Sequence, residues 1–95
     1  MRGKAWKGAT FGIRVGKANA RRFFDVNQLL IEVEIGGEWV RFLLSKTFWT
    51  TCPEIRGKSI GSWLRVCGLD SWMPWHPPQV ELTPLGNNRF KLSQT

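Results

Sequence analysis

The fold of this chain is decided by residues 29–44, which read LLIEVEIGGEWVRFLL. Apolar residues largely alternate with polar ones on both sides of Gly36-Gly37, a dipeptide that tolerates the positive φ angles of a two-residue turn. The pattern predicts a β-hairpin in which Ile35 faces Glu38. Counting outward, one face pairs Val33 with Val40, Ile31 with Phe42 and Leu29 with Leu44, and the other pairs Glu34 with Trp39, Glu32 with Arg41 and Leu30 with Leu43. The first face is apolar and the second contains an opposite-charge pair, so a slip of one residue would lose complementarity on both faces.

A further strand is predicted before the hairpin, at residues 11–15. Its apolar residues are separated by a glycine and an arginine, in the order Phe11, Gly12, Ile13, Arg14, Val15. This period of two is typical of a strand with one buried face. We therefore expect Arg14, and Lys17 beyond it, to project from the face opposite the core.

A closing hairpin is predicted near the C-terminus. Val80 and Leu82 alternate with polar residues before a turn, and Phe90 and Leu92 do so after it. All four apolar side chains share one face only if the loop has an odd number of residues, for example residues 85–87 with Leu82 opposite Phe90.

One short helix is predicted at residues 59–67. Ser59 is a suitable N-cap, and Gly68 is a suitable C-terminal stop. Between them, a single apolar stripe is formed by Ile60, Trp63, Leu64 and Cys67. Upstream, residues 51–54 have the Thr-x-x-Glu spacing of a capping box, which predicts a helical turn there.

Two other segments are less regular. Residues 21–26 fit either an extended segment leading into the hairpin or a short helix capped by Asn19. Residues 69–79 contain three prolines, which disfavour helix in the residues before them. We expect this second segment to be an ordered loop or a sheet edge.

The predicted order of elements is strand, strand, strand, short helix, strand, strand. It indicates a mostly β fold of the α+β class, a small five-stranded antiparallel barrel or curled sheet with the helix between strands 3 and 4. Over residues 9–93 this order resembles the OB-fold, a five-stranded barrel that binds oligonucleotides and oligosaccharides, and the resemblance is one of element order alone. An SH3-like barrel, or a plain antiparallel sheet with a packed helix, fits the same order.

The length and composition indicate one globular unit. The chain has 95 residues, of which 42% are hydrophobic and 22% are charged, and these values exclude a disordered or fibrous protein. We expect residues 9–95 to form a single small β-rich domain, preceded by a flexible basic arm at residues 1–8.

The hydropathy pattern bears on location. No apolar run approaches the roughly 20 residues of a membrane span, and the basic start lacks the apolar stretch of a secretory signal. We therefore expect no membrane partner and a cytoplasmic location. In that reducing compartment Cys52 and Cys67 are expected to be free thiols.

The positive charge is concentrated at the N-terminus. Residues 1–22 hold seven basic residues and no acidic one, whereas residues 23–95 hold seven of each, so the first segment accounts for the formal charge of +7. Such a segment, interspersed with glycines that allow close backbone approach, is suited to a polyanion. The alternative is a solvated, frayed terminus whose charges only aid solubility.

These features predict a small, non-enzymatic nucleic-acid-binding domain. Single-stranded nucleic acid is held by cations that follow the phosphates and by aromatic rings that stack on bases. Trp6 lies among lysines and Trp39 is placed beside an arginine on the hairpin, so both are candidate stacking residues, although Trp39 could instead pack against the helix or the proline-rich loop. The predicted nucleic-acid-binding residues are Arg2, Lys4, Trp6, Lys7, Arg14, Lys17, Arg21, Arg22, Trp39 and Arg41.

Two other classes of function fit the aromatic content. A protein-interaction module or homodimer would use the proline-rich loop, through Trp72, Met73, Trp75 and His76, together with unpaired strand edges. The same tryptophans could instead form a lid over one end of the barrel. Carbohydrate binding by indole stacking is a third interpretation, in which the positive charge would have no role.

Residues that could carry catalysis or bind a metal are sparse. His76 is the one histidine and lies among prolines, where a surface imidazole is expected. Cys52 and Cys67 show no Cys-x-x-Cys spacing, so no zinc site is predicted. Residues 57–59 read GKS, as at the end of a phosphate-binding P-loop, but Cys52 occupies the position of its first glycine. We therefore predict no enzyme, no metal and no cofactor.

Overall fold

The computed structural model describes residues 1–95 as a mostly β structure with seven strands and three helices. The strands are β1 (Arg2–Lys7), β2 (Phe11–Arg14), β3 (Leu30–Ile35), β4 (Glu38–Leu43), β5 (Glu54–Arg56), β6 (Gln79–Gly86) and β7 (Arg89–Gln94). The helices are α1 (Lys17–Phe23), α2 (Lys46–Thr50) and α3 (Lys58–Val66). None of the three helices is long and apolar enough to cross a membrane.

All seven strands belong to one sheet, in the order β4-β3-β7-β6-β1-β2-β5. Neighbouring strands are antiparallel except β3 and β7, which run parallel. The sheet curls until it nearly closes into a barrel, and β4 and β5, at the two ends of the strand order, line one groove together. Curling turns one face of every strand toward a common interior, where apolar side chains leave water.

The core is one cluster of 18 buried hydrophobic side chains. At one end of the barrel, α3 contributes Ile60 and Leu64, both fully buried. At the other end three aromatic rings pack together, with Phe24 stacked on Phe90 at 4.5 Å between ring centroids and tilted against Phe48 at 5.1 Å. Helices thus close both ends of the barrel over the core.

The predicted hairpin is confirmed in its turn and in its register. Ile35 faces Glu38, and every predicted pair from there to Leu30 with Leu43 is present. The exception is the side chain of Leu29, which was expected on the buried face but is exposed. The amide of Leu44 still donates to the carbonyl of Leu29 at 2.7 Å, so the backbone pairing continues where the hairpin leaves the core.

The predicted number of elements is wrong, because five strands and one helix are too few. The first segment, expected as an arm outside the domain, forms β1 between β6 and β2. Its inward positions, Gly3 and Ala5, are too small to produce an apolar alternation in the sequence. They are small because the sheet is crowded here: a Cβ on Gly3 would lie 2.7 Å from Cγ2 of Ile13.

The helices also differ from the prediction. The capping-box segment does not form a helical turn, because residues 54–56 extend as β5. The predicted short helix is α3, which lies between β5 and β6 and begins after Gly57 rather than at Ser59. For residues 21–26 the helical alternative is correct in part, since α1 ends at Phe23. It is not capped by Asn19, whose side-chain amide donates to the carbonyls of residues 15 and 2.

The closing hairpin keeps its predicted buried face with a different register. Val80, Leu82, Phe90 and Leu92 are all buried, as expected. Leu82 faces Leu92 rather than Phe90, and the turn has two residues, Asn87 and Asn88, with φ of 53° and 56°. A β-bulge at residues 84–86 inserts one extra residue into β6. Because of this residue, the four apolar side chains share one face with a two-residue turn, and the predicted odd-numbered loop is not needed.

Candidate nucleic-acid interface

The outer surface of β1, β2 and β5 centres on one indole. We call this surface the tryptophan face; its side chains are Lys4, Trp6, Arg14, Glu54 and Arg56. The strand registers bring them together, because Lys4 lies opposite Arg14 and Arg14 lies opposite Glu54. The guanidinium carbons of Arg56 and Arg14 lie 4.7 and 5.4 Å from the centroid of the Trp6 ring, within the range of cation–π attraction.

Two glycines without side chains leave room for the indole of Trp6 to lie against the sheet. A Cβ on Gly12 would lie 3.3 Å from Cε3 of Trp6 and only 2.7 Å from the carbonyl oxygen of Ile55. A Cβ on Gly8 would lie 2.5 Å from Cη2 of the same indole. Trp6 is therefore half-buried, and its ring orders the arginines that approach it.

One carboxylate lies within the tryptophan face. Glu54 accepts a hydrogen bond from Nε of Arg14 at 3.1 Å and forms an ion pair with Arg56, and only 3% of its side chain is exposed. It orients both guanidinium groups while cancelling one of their two charges. Lys4 and Arg2 form no ion pair, so the face keeps a positive balance.

A pocket of about 440 Å³ opens beside the tryptophan face, between the loop at residues 8–10 and α3. We call it the cationic pocket. Three cations line it, Lys7, Lys58 and Arg65, and no carboxylate does. None of these three side chains forms an ion pair with an acidic residue. Their positive potential is therefore available to an external anion.

The cationic pocket is built around the ring of Phe11. Nζ of Lys7 lies 5.4 Å from the centroid of this ring and the guanidinium carbon of Arg65 lies 5.6 Å from it. Lys58 and Arg65 share one side of α3 because they are seven residues, or about two turns, apart. Gly61 lets the helix approach, since a Cβ there would lie 3.0 Å from Cδ2 of Phe11.

The pocket and the face are continuous. Gly8 touches the ring of Trp6 and also lines the pocket. Arg56 of the face is followed directly by Gly57 and Lys58 of the pocket. We call the combined area the cationic surface; its charged residues are Lys4, Lys7, Arg14, Arg56, Lys58 and Arg65, with Glu54 as the one carboxylate. Six positive charges less one leave five.

The structure divides the residues predicted to bind nucleic acid. Four of them lie on the cationic surface, Lys4, Trp6, Lys7 and Arg14, and Arg2 is exposed on the same strand. Lys17, Arg21 and Arg22 belong to α1, which is hydrogen-bonded to the Arg2 end of β1, whereas the cationic pocket lies at the Lys7 end.

The two predicted residues of the hairpin lie on β4. Trp39 is 49% exposed, and the guanidinium carbon of Arg89 lies 5.5 Å from its ring centroid. Arg41 lines the groove between β4 and β5 together with Arg56, but it also approaches Glu32 at 3.7 Å. The residues predicted to bind nucleic acid therefore do not form one patch.

Sequence reasoning missed the contribution of the second half of the chain. Arg65 could have been found from its place in the predicted helix, away from the apolar stripe, whereas Lys58 precedes the predicted helix and joins it only in the structure. Arg56 follows the buried Ile55 in a strand of only three residues, which is too short to show a periodic signal. Its place beside Trp6 depends on the pairing of β5 with β2.

The proline-rich loop lies next to the cationic pocket. Trp72 is half-buried, with its ring centroid 6.2 Å from that of Phe11. Met73, Trp75 and His76 are exposed at the tip of the loop. Of the four residues predicted to contact a partner, one therefore packs at the base of the loop and three are exposed at its tip.

No group of three or more His, Cys, Asp and Glu residues is placed to hold a metal ion. Both cysteines are free thiols, with Cys52 exposed and Cys67 half-buried.

Comparison with protein-family models, with curated proteins and with solved structures finds no match. The function is therefore inferred from the residues and geometry of the chain itself.

Proposed function

We propose that this protein binds nucleic acid through the cationic surface and does not catalyse a reaction. One observation supports this most directly: the cationic pocket holds three cations without a neutralising carboxylate and is continuous with the tryptophan face. Phosphate is the anion that Lys and Arg bind on nucleic acids, and such contacts supply most of the non-specific affinity.

A polymer fits this surface better than a small anion does. The cations are spread over three strands and one helix, so a single phosphate could reach only some of them. A chain of phosphates can meet them in sequence, and the loop at residues 8–10 allows close approach because its side chains are small. The exposed aliphatic stems and rings of the surface would lie against sugars and bases.

The non-catalytic part of the proposal is based on the titratable groups of the cationic surface. General acid–base chemistry needs a titratable group aimed at the reacting atoms. The surface holds no histidine and no cysteine, and its one carboxylate, Glu54, is engaged by two guanidinium groups. Its remaining charged groups are cations suited to binding.

Salt dependence tests the proposal. With about five phosphate contacts, the logarithm of the binding constant should fall against the logarithm of the salt concentration with a slope of about −3.5 to −4.5. Fluorescence polarisation of a labelled oligonucleotide between 50 and 200 mM salt measures this slope. A slope near zero, or no binding at 50 mM, would contradict the proposal.

The variants for such work should be point substitutions. Removing residues 1–8 would delete β1, which pairs with both β2 and β6 in the middle of the sheet. The deletion would therefore unfold the domain and could not separate binding from folding.

Binding of a protein partner, or of a second copy of this chain, is the second candidate function. It is favoured by an apolar patch on the outer face of the hairpin, where Leu30 lies opposite Leu43 and Leu29 is adjacent. These three side chains are exposed, Leu43 to 71%. The patch borders β4, whose outer edge has no strand partner. It is a better candidate for a partner surface than the loop alone, because it combines three exposed leucines with an unpaired strand edge.

Sedimentation equilibrium separates this candidate from the first. If the patch is a dimer interface, the wild type sediments as a dimer at micromolar concentration. Leu43→Asp should then sediment as a monomer, because burying a carboxylate against leucines is costly. Because Leu43 lines the groove between β4 and β5 together with Arg56, oligonucleotide binding is measured with Leu43→Ala, which adds no charge and should change the affinity less than about twofold. A wild type that is monomeric at 100 μM or more, and whose sedimentation Leu43→Asp does not alter, would remove dimerisation through this patch.

A further inference from the structure

We infer that the nucleic acid bound by the cationic surface is single-stranded and that one of its unpaired bases stacks on Trp75. This inference rests on the proposed function and adds the class of ligand. It is supported by the exposure of Trp75, by the attachment of its loop to the core and to β1, and by the positive charge of the adjacent cationic pocket.

Trp75 is the most open aromatic side chain of the protein. It is 85% exposed and has no aromatic or cation–π partner within the chain. Trp6 and Trp39, by contrast, each have a guanidinium group over the ring. An exposed indole leaves its apolar surface in contact with water, and stacking on a planar partner would remove that surface from water.

The loop that carries Trp75 is attached at both ends beside the cationic pocket. At one end Trp72 packs on Phe11, the ring at the centre of the pocket. At the other end the amide of Ala5 donates to the carbonyl of Pro78 at 2.9 Å, two residues before Lys7 in β1. Trp75 is three residues from each attachment, so its Cα lies within about 10 Å of both.

A turn hydrogen bond and two prolines restrict the backbone at the tip of the loop. The amide of His76 donates to the carbonyl of Met73 at 2.9 Å, which closes a turn around Trp75. Pro74 precedes the indole and Pro77 follows it, and each proline restricts its own backbone φ. An ordered tip loses little conformational freedom on binding, so stacking on it is efficient.

Single-stranded nucleic acid is the ligand that would contact both the exposed indole and the cationic pocket. In a duplex every base is paired, and all but those of the two terminal pairs are stacked on both faces, so an indole at the protein surface finds almost no free base to cover. An unpaired base offers a free face to the indole, while its neighbouring phosphates reach Lys7, Lys58 and Arg65. The juxtaposition of an open indole and an unneutralised pocket therefore favours single strands over duplexes.

The test compares Trp75→Ala with Val26→Ala, which shortens another exposed apolar side chain, 64% accessible and outside the cationic surface. A single-stranded oligonucleotide of ten thymidines and a duplex of ten base pairs are titrated at 100 mM salt. We expect the wild type to bind the single strand more tightly than the duplex. Trp75→Ala should weaken single-strand binding about tenfold, equivalent to about 1.4 kcal/mol. It should leave duplex binding within twofold.

The controls isolate stacking from folding. Val26→Ala should leave the affinity for both ligands within about twofold, because Val26 lies in the segment between α1 and β3 and is not part of the cationic surface. Trp75→Phe should retain most of the single-strand affinity, since phenylalanine keeps an aromatic face. Trp75 is on the surface, so circular dichroism of all variants should match the wild type.

The outcomes separate the two proposals. A wild type that binds neither ligand at low salt overturns the proposed function and this inference with it. A wild type with the expected salt slope, whose single-strand affinity is unchanged by Trp75→Ala, overturns this inference alone. An equal loss on single strand and duplex does so too. Loss of self-association in Trp75→Ala without loss of oligonucleotide binding would assign the indole to a protein partner and also overturn it.

Discussion

Replacing Lys58 and Arg65 together by alanine is expected to weaken oligonucleotide binding by about 30-fold at 0.1 M salt. Each phosphate contact contributes about 0.7 to 0.9 to the salt slope, so losing two of five should change the slope from about −4 to about −2.4. Both side chains line the cationic pocket and neither forms an ion pair within the protein. Their loss should therefore leave the fold intact. Polarisation titrations at three or more salt concentrations give both the affinity and the slope.

A control with the same change in net charge makes the result specific. Arg22→Ala combined with Lys91→Ala also removes one arginine and one lysine, both exposed. Arg22 lies on α1 and Lys91 on β7, away from the pocket. This variant should lose less than about threefold, because contacts beyond a Debye length of about 10 Å are largely screened at 0.1 M salt. Equal losses in the two variants would mean that binding follows net charge and that the pocket is not a site.

Phe90→Ala is expected to lower the free energy of unfolding by about 3 to 5 kcal/mol. Phe90 is 1% exposed and stacks on Phe24, which in turn packs against Phe48. The substitution therefore leaves a cavity where β7, α2 and the segment after α1 meet. Because a domain of this size has a total stability of about 5 to 15 kcal/mol, the variant should be close to unfolding at 37 °C.

Urea denaturation followed by far-ultraviolet circular dichroism measures this loss. Leu85→Ala is the matched control, since Leu85 lies in the bulge of β6 and is exposed. It should change stability by less than about 0.5 kcal/mol. A loss below about 1 kcal/mol in Phe90→Ala would show that the three rings do not close this end of the barrel as one unit.

The elements predicted correctly are those governed by near neighbours. The hairpin over β3 and β4 was found with its register because Gly36-Gly37 fixes the turn, after which each pair follows by counting. The buried Ile60 and Leu64 of α3 were predicted because a helix repeats every 3.6 residues. Both signals lie within about 16 consecutive residues.

The elements missed are those that depend on partners distant in the sequence. Gly3 and Ala5 face inward in β1, and their small side chains look like those of a flexible arm. β5 has three residues and gains its strand conformation by pairing with β2, about 40 residues away. The parallel pairing of β3 with β7 joins residues 57 positions apart, as in Glu32 with Arg89, and has no local signal.

The candidate site was predicted in part for the same reason. Charge and alternation identified Lys4, Lys7 and Arg14 directly. The pocket needed α3 to pack on Phe11, which brings Lys58 and Arg65 to face them. The open state of Trp75 also required the structure, since a tryptophan near prolines is equally compatible with a lid.

Turn chemistry, side-chain periodicity and the excess of positive charge can be read directly from the amino acids, because each arises within one residue or among a few adjacent ones. They define a mostly β chain with one certain hairpin and a formal net charge of +7. The gathering of six cations around Trp6 and Phe11, and the separation of the others onto α1 and the far strands, depend on how the sheet curls. Curling is governed by contacts between residues far apart in the chain, which no local pattern encodes.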